Sequence, residues 1–190
     1  MKRKDLIEYG VIVATILILY ATGWYRPVLG WMQQGILATG LFQPDLQLEN
    51  PEPADYNLML IDGEGNRVAL SEFQGETVLI NIWATWCPPC RAELPDMAKL
   101  YDTEEGKNMR WIMISRDDDI QKAVDFFESK GYPWPVYQVA GAVPPAFQSQ
   151  VVPTTFVISP EGKIVVRQNG MAKYNTRKFK RLIRSLNEGA

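Results

Sequence analysis

The sequence predicts an α/β fold, a mixed central sheet with helices packed on it, and three observations predict it. Residues 56–190 alternate between strand-like and helix-like patterns in the order ββ-βα-βα-ββ-α. One run, Thr77 to Trp83 (TVLINIW), is mostly apolar, as a strand buried on both faces requires. Two glycine-bearing turns, Asp62-Gly63-Glu64-Gly65 and Ser159-Pro160-Glu161-Gly162, each separate two strand-like runs and mark hairpins. The 190 residues, 46% of them hydrophobic, suffice for one domain plus an appendage.

The appendage comes first. Tyr9 to Tyr25 are 17 residues without charge, and Leu6 and Ile7 extend the apolar run over residues 6–25. A helix that spans a bilayer needs about 17–25 residues. Trp24 and Tyr25 stand where an aromatic belt would, and Lys2, Arg3 and Lys4 precede the run. The positive-inside rule then places the N-terminus in the cytoplasm and the rest outside the inner membrane. A cleaved signal peptide, through Ala21-Thr22-Gly23, and a buried core helix are the other readings of this segment. Residues 28–42 repeat apolar positions at spacings of three and four without charge, which predicts an amphipathic helix on the membrane interface or on the domain. Pro44 to Pro53 (PDLQLENPEP) has the composition of a linker. The expected organisation is a cytoplasmic tip and transmembrane anchor over 1–26, an amphipathic segment and linker over 27–55, and a globular domain over 56–190.

Within that domain, Tyr56 to Ile61 and Arg67 to Leu70 form the first hairpin. Thr77 to Trp83 is the buried strand, followed by a helix from about Pro88 to Tyr101. Met109 to Ser115 (MRWIMIS) is the next strand. Asp117-Asp118-Asp119 supplies cap and first-turn acids for a helix to about Lys130, which Gly131 closes. Thr155 to Ile158 and Ile164 to Arg167 make the last hairpin, and Thr176 to Leu186 a final helix with a basic outer face.

Composition removes many chemistries. The chain has no histidine, which excludes Ser-His-Asp and Cys-His catalysis and histidine-ligated zinc. Its two cysteines cannot build a four-cysteine metal site in one chain. A net charge of -2 gives no electrostatic footprint for nucleic acid. No G-x-G-x-x-G run offers a nicotinamide or flavin site. The reading is therefore no metal, no bound cofactor and no nucleic acid.

What remains is Cys87-Pro88-Pro89-Cys90, directly after the buried strand and at the start of a helix. A thiolate there faces unsatisfied N–H groups and the positive end of the helix dipole. Both favour the charged form, so the thiol pKa falls from about 8.5 toward neutrality or below. Such a thiol attacks readily and leaves readily. Pro88 and Pro89 suit a first turn, which needs no intrahelical donor. By residues alone, redox catalysis stands beside a structural disulfide, half of a metal site completed by a partner chain, and a peroxidatic cysteine.

The run LINIWATWCPPCRAELPDM, followed by VVPTTFVISPEGKIVVRQNG, resembles the membrane-anchored thioredoxin-like disulfide reductases of the TlpA/ResA type in bacteria. The resemblance covers about residues 56–190. It implies a thioredoxin-like fold with an added N-terminal hairpin. It makes Cys87 the exposed nucleophile, Cys90 the buried resolving thiol and Pro153 the cis-proline facing the disulfide. Val152 and Thr154 flank Pro153 in the expected substrate-binding loop, and Trp86 is expected to shield the sulfurs. Pro95 matches a kink in the active-site helix. Asn81 stands where thioredoxin carries a buried aspartate six residues before its first cysteine. Glu93, one turn after Cys90, matches the buried glutamate of ResA-like proteins and becomes the candidate proton-exchanging group; an exposed glutamate near the helix start is the plain alternative.

The function expected is disulfide reduction in exported proteins, apocytochrome c being the substrate the resemblance suggests, with electrons from a membrane thiol carrier. A thiol oxidase or disulfide isomerase of the same fold, or a non-catalytic binding module, are the alternatives.

Overall fold

The structure is a computed structural model and describes residues 3–22, 35, 44 and 50–189. Helix α1 runs Arg3–Ala21. Its apolar side chains Val11, Ile12, Val13, Ile16, Leu17 and Ile18 are all exposed, so apolar surface runs around the helix. Among the described residues, no helix is long and apolar enough to cross a membrane. The 19 residues of α1 include Lys4, Asp5 and Glu8. The belt residues Trp24 and Tyr25 lie outside the described residues. So do the amphipathic segment 28–42, apart from Gly35, and residues 45–49 of the linker.

The domain is an eight-stranded mixed sheet. Its strands are β1 Glu52–Pro53, β2 Met59–Asp62, β3 Arg67–Ala69, β4 Val78–Trp83, β5 Arg110–Ser115, β6 Val136–Val139, β7 Thr154–Ile158 and β8 Lys163–Asn169. They lie in the order β1-β8-β7-β4-β5-β6-β2-β3. β4, β5 and β6 are parallel neighbours, and the other pairs are antiparallel. Four helices complete it: α2 Pro88–Tyr101, α3 Glu104–Lys107, α4 Ile120–Lys130 and α5 Arg177–Glu188.

Three elements depart from the sequence expectation. β6 is an additional strand, hidden by its four-residue length and by Pro133 and Pro135 just before it. The first hairpin reaches the sheet only through β6: Leu60 pairs with Val139 and Ile61 with Gln138. Glu52 and Pro53, expected in the linker, form a short edge strand on β8. α3 is also new. Its glycine is required: a Cβ on Gly106 would lie 2.1 Å from the Leu100 carbonyl oxygen.

β4 is buried at every position, as its apolar run predicts. The two-residue period of a strand sorts its side chains. Val78, Ile80 and Ile82 face a core with Ile112, Ile114, Phe147 and Phe156, covered by the Pro145–Phe147 turn and by Leu58 and Leu70. Leu79 and Trp83 face the helices, among Leu94 and Met97 of α2, Phe127 of α4 and Phe179 and Ile183 of α5. The Trp83 ring stacks on Phe127 at 4.5 Å, which fastens α4 against the end of β4. Asn81, between Leu79 and Trp83, is thereby turned toward α2.

Candidate active site

Three residues, Ala84 to Trp86, join the end of β4 to Cys87, the N-cap of α2. Cys87 keeps extended backbone angles and its Sγ accepts the Cys90 N–H at 3.2 Å. Pro88 and Pro89 fill the first helical positions, where the missing N–H costs nothing. Pro95 lies inside α2 and withholds an N–H from the Arg91 carbonyl. Cys87 and Cys90 form a disulfide with Cα atoms 5.3 Å apart.

The sulfurs are more covered than the sequence suggests. Cys90 is 0% exposed and Cys87 only 3%, so the expected exposed nucleophile is nearly closed over in the disulfide. Cys87 is still the more accessible of the two. Trp86, expected to shield the sulfurs, is itself 62% exposed. Cover comes in part from the loop opposite, where the Val152 carbonyl oxygen lies 3.8 Å from Cys87 Sγ. The sulfur has no proton in the disulfide; on reduction that carbonyl becomes an acceptor for the thiol.

The Val152-Pro153 peptide is cis, as the resemblance implies. Pro153 is buried and Val152 half-buried. Thr154, expected to meet substrate, is fully buried and instead holds the loop. Its hydroxyl donates to the Val151 carbonyl at 2.7 Å and lies 2.8 Å from Ser149 Oγ, which accepts the Val151 N–H at 3.1 Å. With the Val151 backbone tied to Ser149 and Thr154, the Val152 carbonyl is the loop group presented to the sulfur.

Behind Cys90 is a buried polar cluster. Glu93 is 0% exposed, so the exposed-glutamate alternative does not hold. Asn81 Nδ2 donates to Glu93 Oε1 at 2.8 Å and to Thr155 Oγ1 at 2.9 Å, and the Ala172 N–H donates to Glu93 Oε2 at 3.2 Å. Burial pushes the Glu93 carboxyl up to about 8; the Asn81 and Ala172 donors oppose the shift and the Asp96 charge adds to it. The Tyr174 phenol, fully buried, is raised by burial first and by the Glu93 charge second. Asn81 Oδ1 has no hydrogen-bond partner among the described residues. A half-turn of that amide would present Oδ1 to a protonated Glu93, so one side chain can serve both protonation states. A carboxyl that changes charge near 8, one turn from Cys90, can exchange a proton with a thiol of ordinary acidity.

Sequence reasoning missed Asp117. Only Asp119 caps α4, accepting the Gln121 N–H at 3.0 Å. Asp117 is 5% exposed and turned to the redox turn instead. It accepts the Thr85 N–H at 3.0 Å, the Thr85 hydroxyl at 2.6 Å and the Ser115 hydroxyl at 2.8 Å. In the sequence this residue is indistinguishable from its two acidic neighbours.

A model of the AhpC/TSA family matches residues 44–167. The thiol-disulfide oxidoreductase ResA of Bacillus subtilis is 34% identical over 110 residues, which are 57% of this chain and 62% of that protein. ResA of Halalkalibacterium halodurans is 30% identical over 166 residues, covering 81% of this chain and 94% of that one. Among solved structures, a putative thiol:disulfide interchange protein DsbE from Chlorobium tepidum superposes with a TM-score of 0.60 at 23% identity, over 73% of this chain and 99% of that one, and shows the fold alone. A putative thioredoxin from Neisseria meningitidis gives 0.61 at 27% identity, over 73% and 93%. The fold is thus thioredoxin-like. With more than half of its length matched by the family and one ResA aligned over most of both chains, the chain belongs to the AhpC/TSA family and, within it, to the ResA-like thiol-disulfide oxidoreductases.

Proposed function

We propose that the chain is a membrane-tethered reductase of disulfides in exported proteins. The observation that carries the reading is the pairing of a barely reachable Cys87 with a fully buried Cys90 backed by Glu93. Cys87 attacks one sulfur of a substrate disulfide as its thiolate, and the other sulfur leaves as a thiolate and takes the proton that Cys87 released. Cys90 gives its proton to the ionised Glu93 and attacks Cys87 Sγ, and the second substrate sulfur leaves as a thiolate and takes that proton from Glu93. Two electrons and two protons have then passed to the substrate, and Cys87 and Cys90 are joined as in the structure. Trp86, exposed at the entrance, offers an apolar contact, and the Val152 backbone an edge for an extended substrate chain.

The run over residues 6–25 and its basic flank support a retained anchor with the N-terminus in the cytoplasm and the domain on the far side of the inner membrane. That compartment is otherwise oxidising, so a dedicated reductant has a place there, and a membrane thiol carrier would return its electrons. Apocytochrome c, with its C-x-x-C-H thiols, is a substrate of fitting chemistry.

The deciding measurement is the reduction potential of the Cys87–Cys90 pair in the full chain, equilibrated against glutathione or dithiothreitol. A value of about -250 mV or lower is expected. A value of about -120 to -180 mV would reverse the electron flow and make the protein an oxidase or isomerase.

A further inference from the structure

We propose that Asp117 is a positioning residue for the dithiol: through Thr85 it holds the turn that carries Cys87, and so sets how strongly the pair favours the disulfide. The proposal rests on the redox reading of Cys87 and Cys90.

Cys90 is fixed by the core, being inside α2 and fully buried. Cys87 is fixed less directly, through the three-residue turn from β4. Thr85 is the middle residue of that turn, and both its N–H and its hydroxyl end on Asp117. Asp117 is in turn held by Ser115, whose hydroxyl donates to the carboxylate while its oxygen accepts the Asp117 N–H at 3.0 Å. No cation pairs with Asp117 among the described ion pairs. Burying a carboxylate is costly unless donors satisfy it, so the donors it has gathered are the reason it can sit there. The neighbouring Arg116 ties the same region on two sides. Its N–H donates to the Trp83 carbonyl at 2.8 Å, and its guanidinium reaches the carbonyl of Ser149, in the loop before Pro153, at 3.4 Å. The end of β5 thus clasps both walls of the disulfide.

The consequence follows from effective concentration. The reduced pair and oxidised glutathione give the Cys87–Cys90 disulfide and two reduced glutathiones, two electrons and two protons passing to glutathione. The equilibrium favours the protein disulfide in proportion to the time the two thiols spend at bonding distance. Releasing Thr85 frees Cys87 while Cys90 stays fixed, so the protein disulfide becomes less favoured.

The test is a double-mutant cycle on that equilibrium constant, read in the full chain in mild detergent. Thr85→Val and Asp117→Asn are each expected to lower it about three- to tenfold, a rise of about 14–30 mV for a two-electron couple. The double variant should fall no further than the larger single one, and Thr85→Ser, which keeps the hydroxyl, should stay within about twofold of the unaltered chain. Single variants that melt earlier but keep the equilibrium constant would make the contact merely structural and overturn the proposal, as would additive effects. Should Asp117→Asn fail to fold, the Val and Ser variants at Thr85 decide. An unaltered chain that does not exchange with glutathione would sink the redox reading itself, a separate outcome.

Discussion

Glu93 carries the sharpest consequence of a single buried group. With the folded carboxyl at about 8 against an ordinary value of 4.5, the native state keeps a proton that the unfolded chain has released. The Glu93 contribution to stability is therefore fullest below about pH 4.5 and is lost as pH rises through about 8, by on the order of a few kcal/mol. Glu93→Gln removes the ionisation while keeping the shape, and the Asn81 amide can turn to meet it. The oxidised variant should unfold at nearly constant denaturant concentration between pH 5 and 8.5, where the unaltered protein weakens. In the reduced state Glu93 and Cys90 should titrate as a coupled pair, so beside the Cys87 step the unaltered protein should show two macroscopic steps and the variant one. Thiol titration curves that coincide in the two proteins would remove Glu93 from the mechanism.

At the scale of elements, each helix shows which local signals the chain obeys. α4 begins at Asp119 and ends at Gly131, whose left-handed φ of 65° suits glycine, both as the local pattern foretells. Asp119→Ala should cost about 1 kcal/mol, the worth of an N-cap, and leave the redox equilibrium unchanged. Measured beside Asp117→Asn, it separates loss of a helix cap from loss of the clasp. α3 obeys local signals and adds a contact that they do not foretell. Thr103 caps it by accepting the Gly106 N–H at 3.3 Å, yet the chain also passes so close to Leu100 that only Gly106 fits. Nothing in the local sequence EEGK announces that contact.

For the whole molecule, sheet order decides what meets what. β4 lies centrally between β5 and β7. β5 therefore brings Asp117 to one side of the redox turn, and β7 carries the Val152-Pro153 loop to the other. This arrangement makes a trapping experiment direct. Cys90→Ala leaves Cys87 able to attack but without its resolving partner, and it should accumulate mixed disulfides with substrate proteins. Cys87→Ala should trap few, because the remaining thiol is fully buried. Non-reducing electrophoresis reads both, and equal trapping by the two variants would contradict the assigned order of attack.

The strand runs, the turn glycines, the helix caps and the cysteine pair were legible in the sequence because each is a local signal, written in spacing, propensity or backbone chemistry. β4 shows this best: an apolar run of that length has few other fates. Proximity between distant segments is not written locally. That β6 would carry the first hairpin, that Thr154 would turn inward while Trp86 stayed in solvent, and that one of three consecutive aspartates would reach back 32 residues to Thr85 all depend on how strands are ordered and which faces are covered. Those are settled by burial and by the pairing of buried polar groups, which only the folded chain brings together.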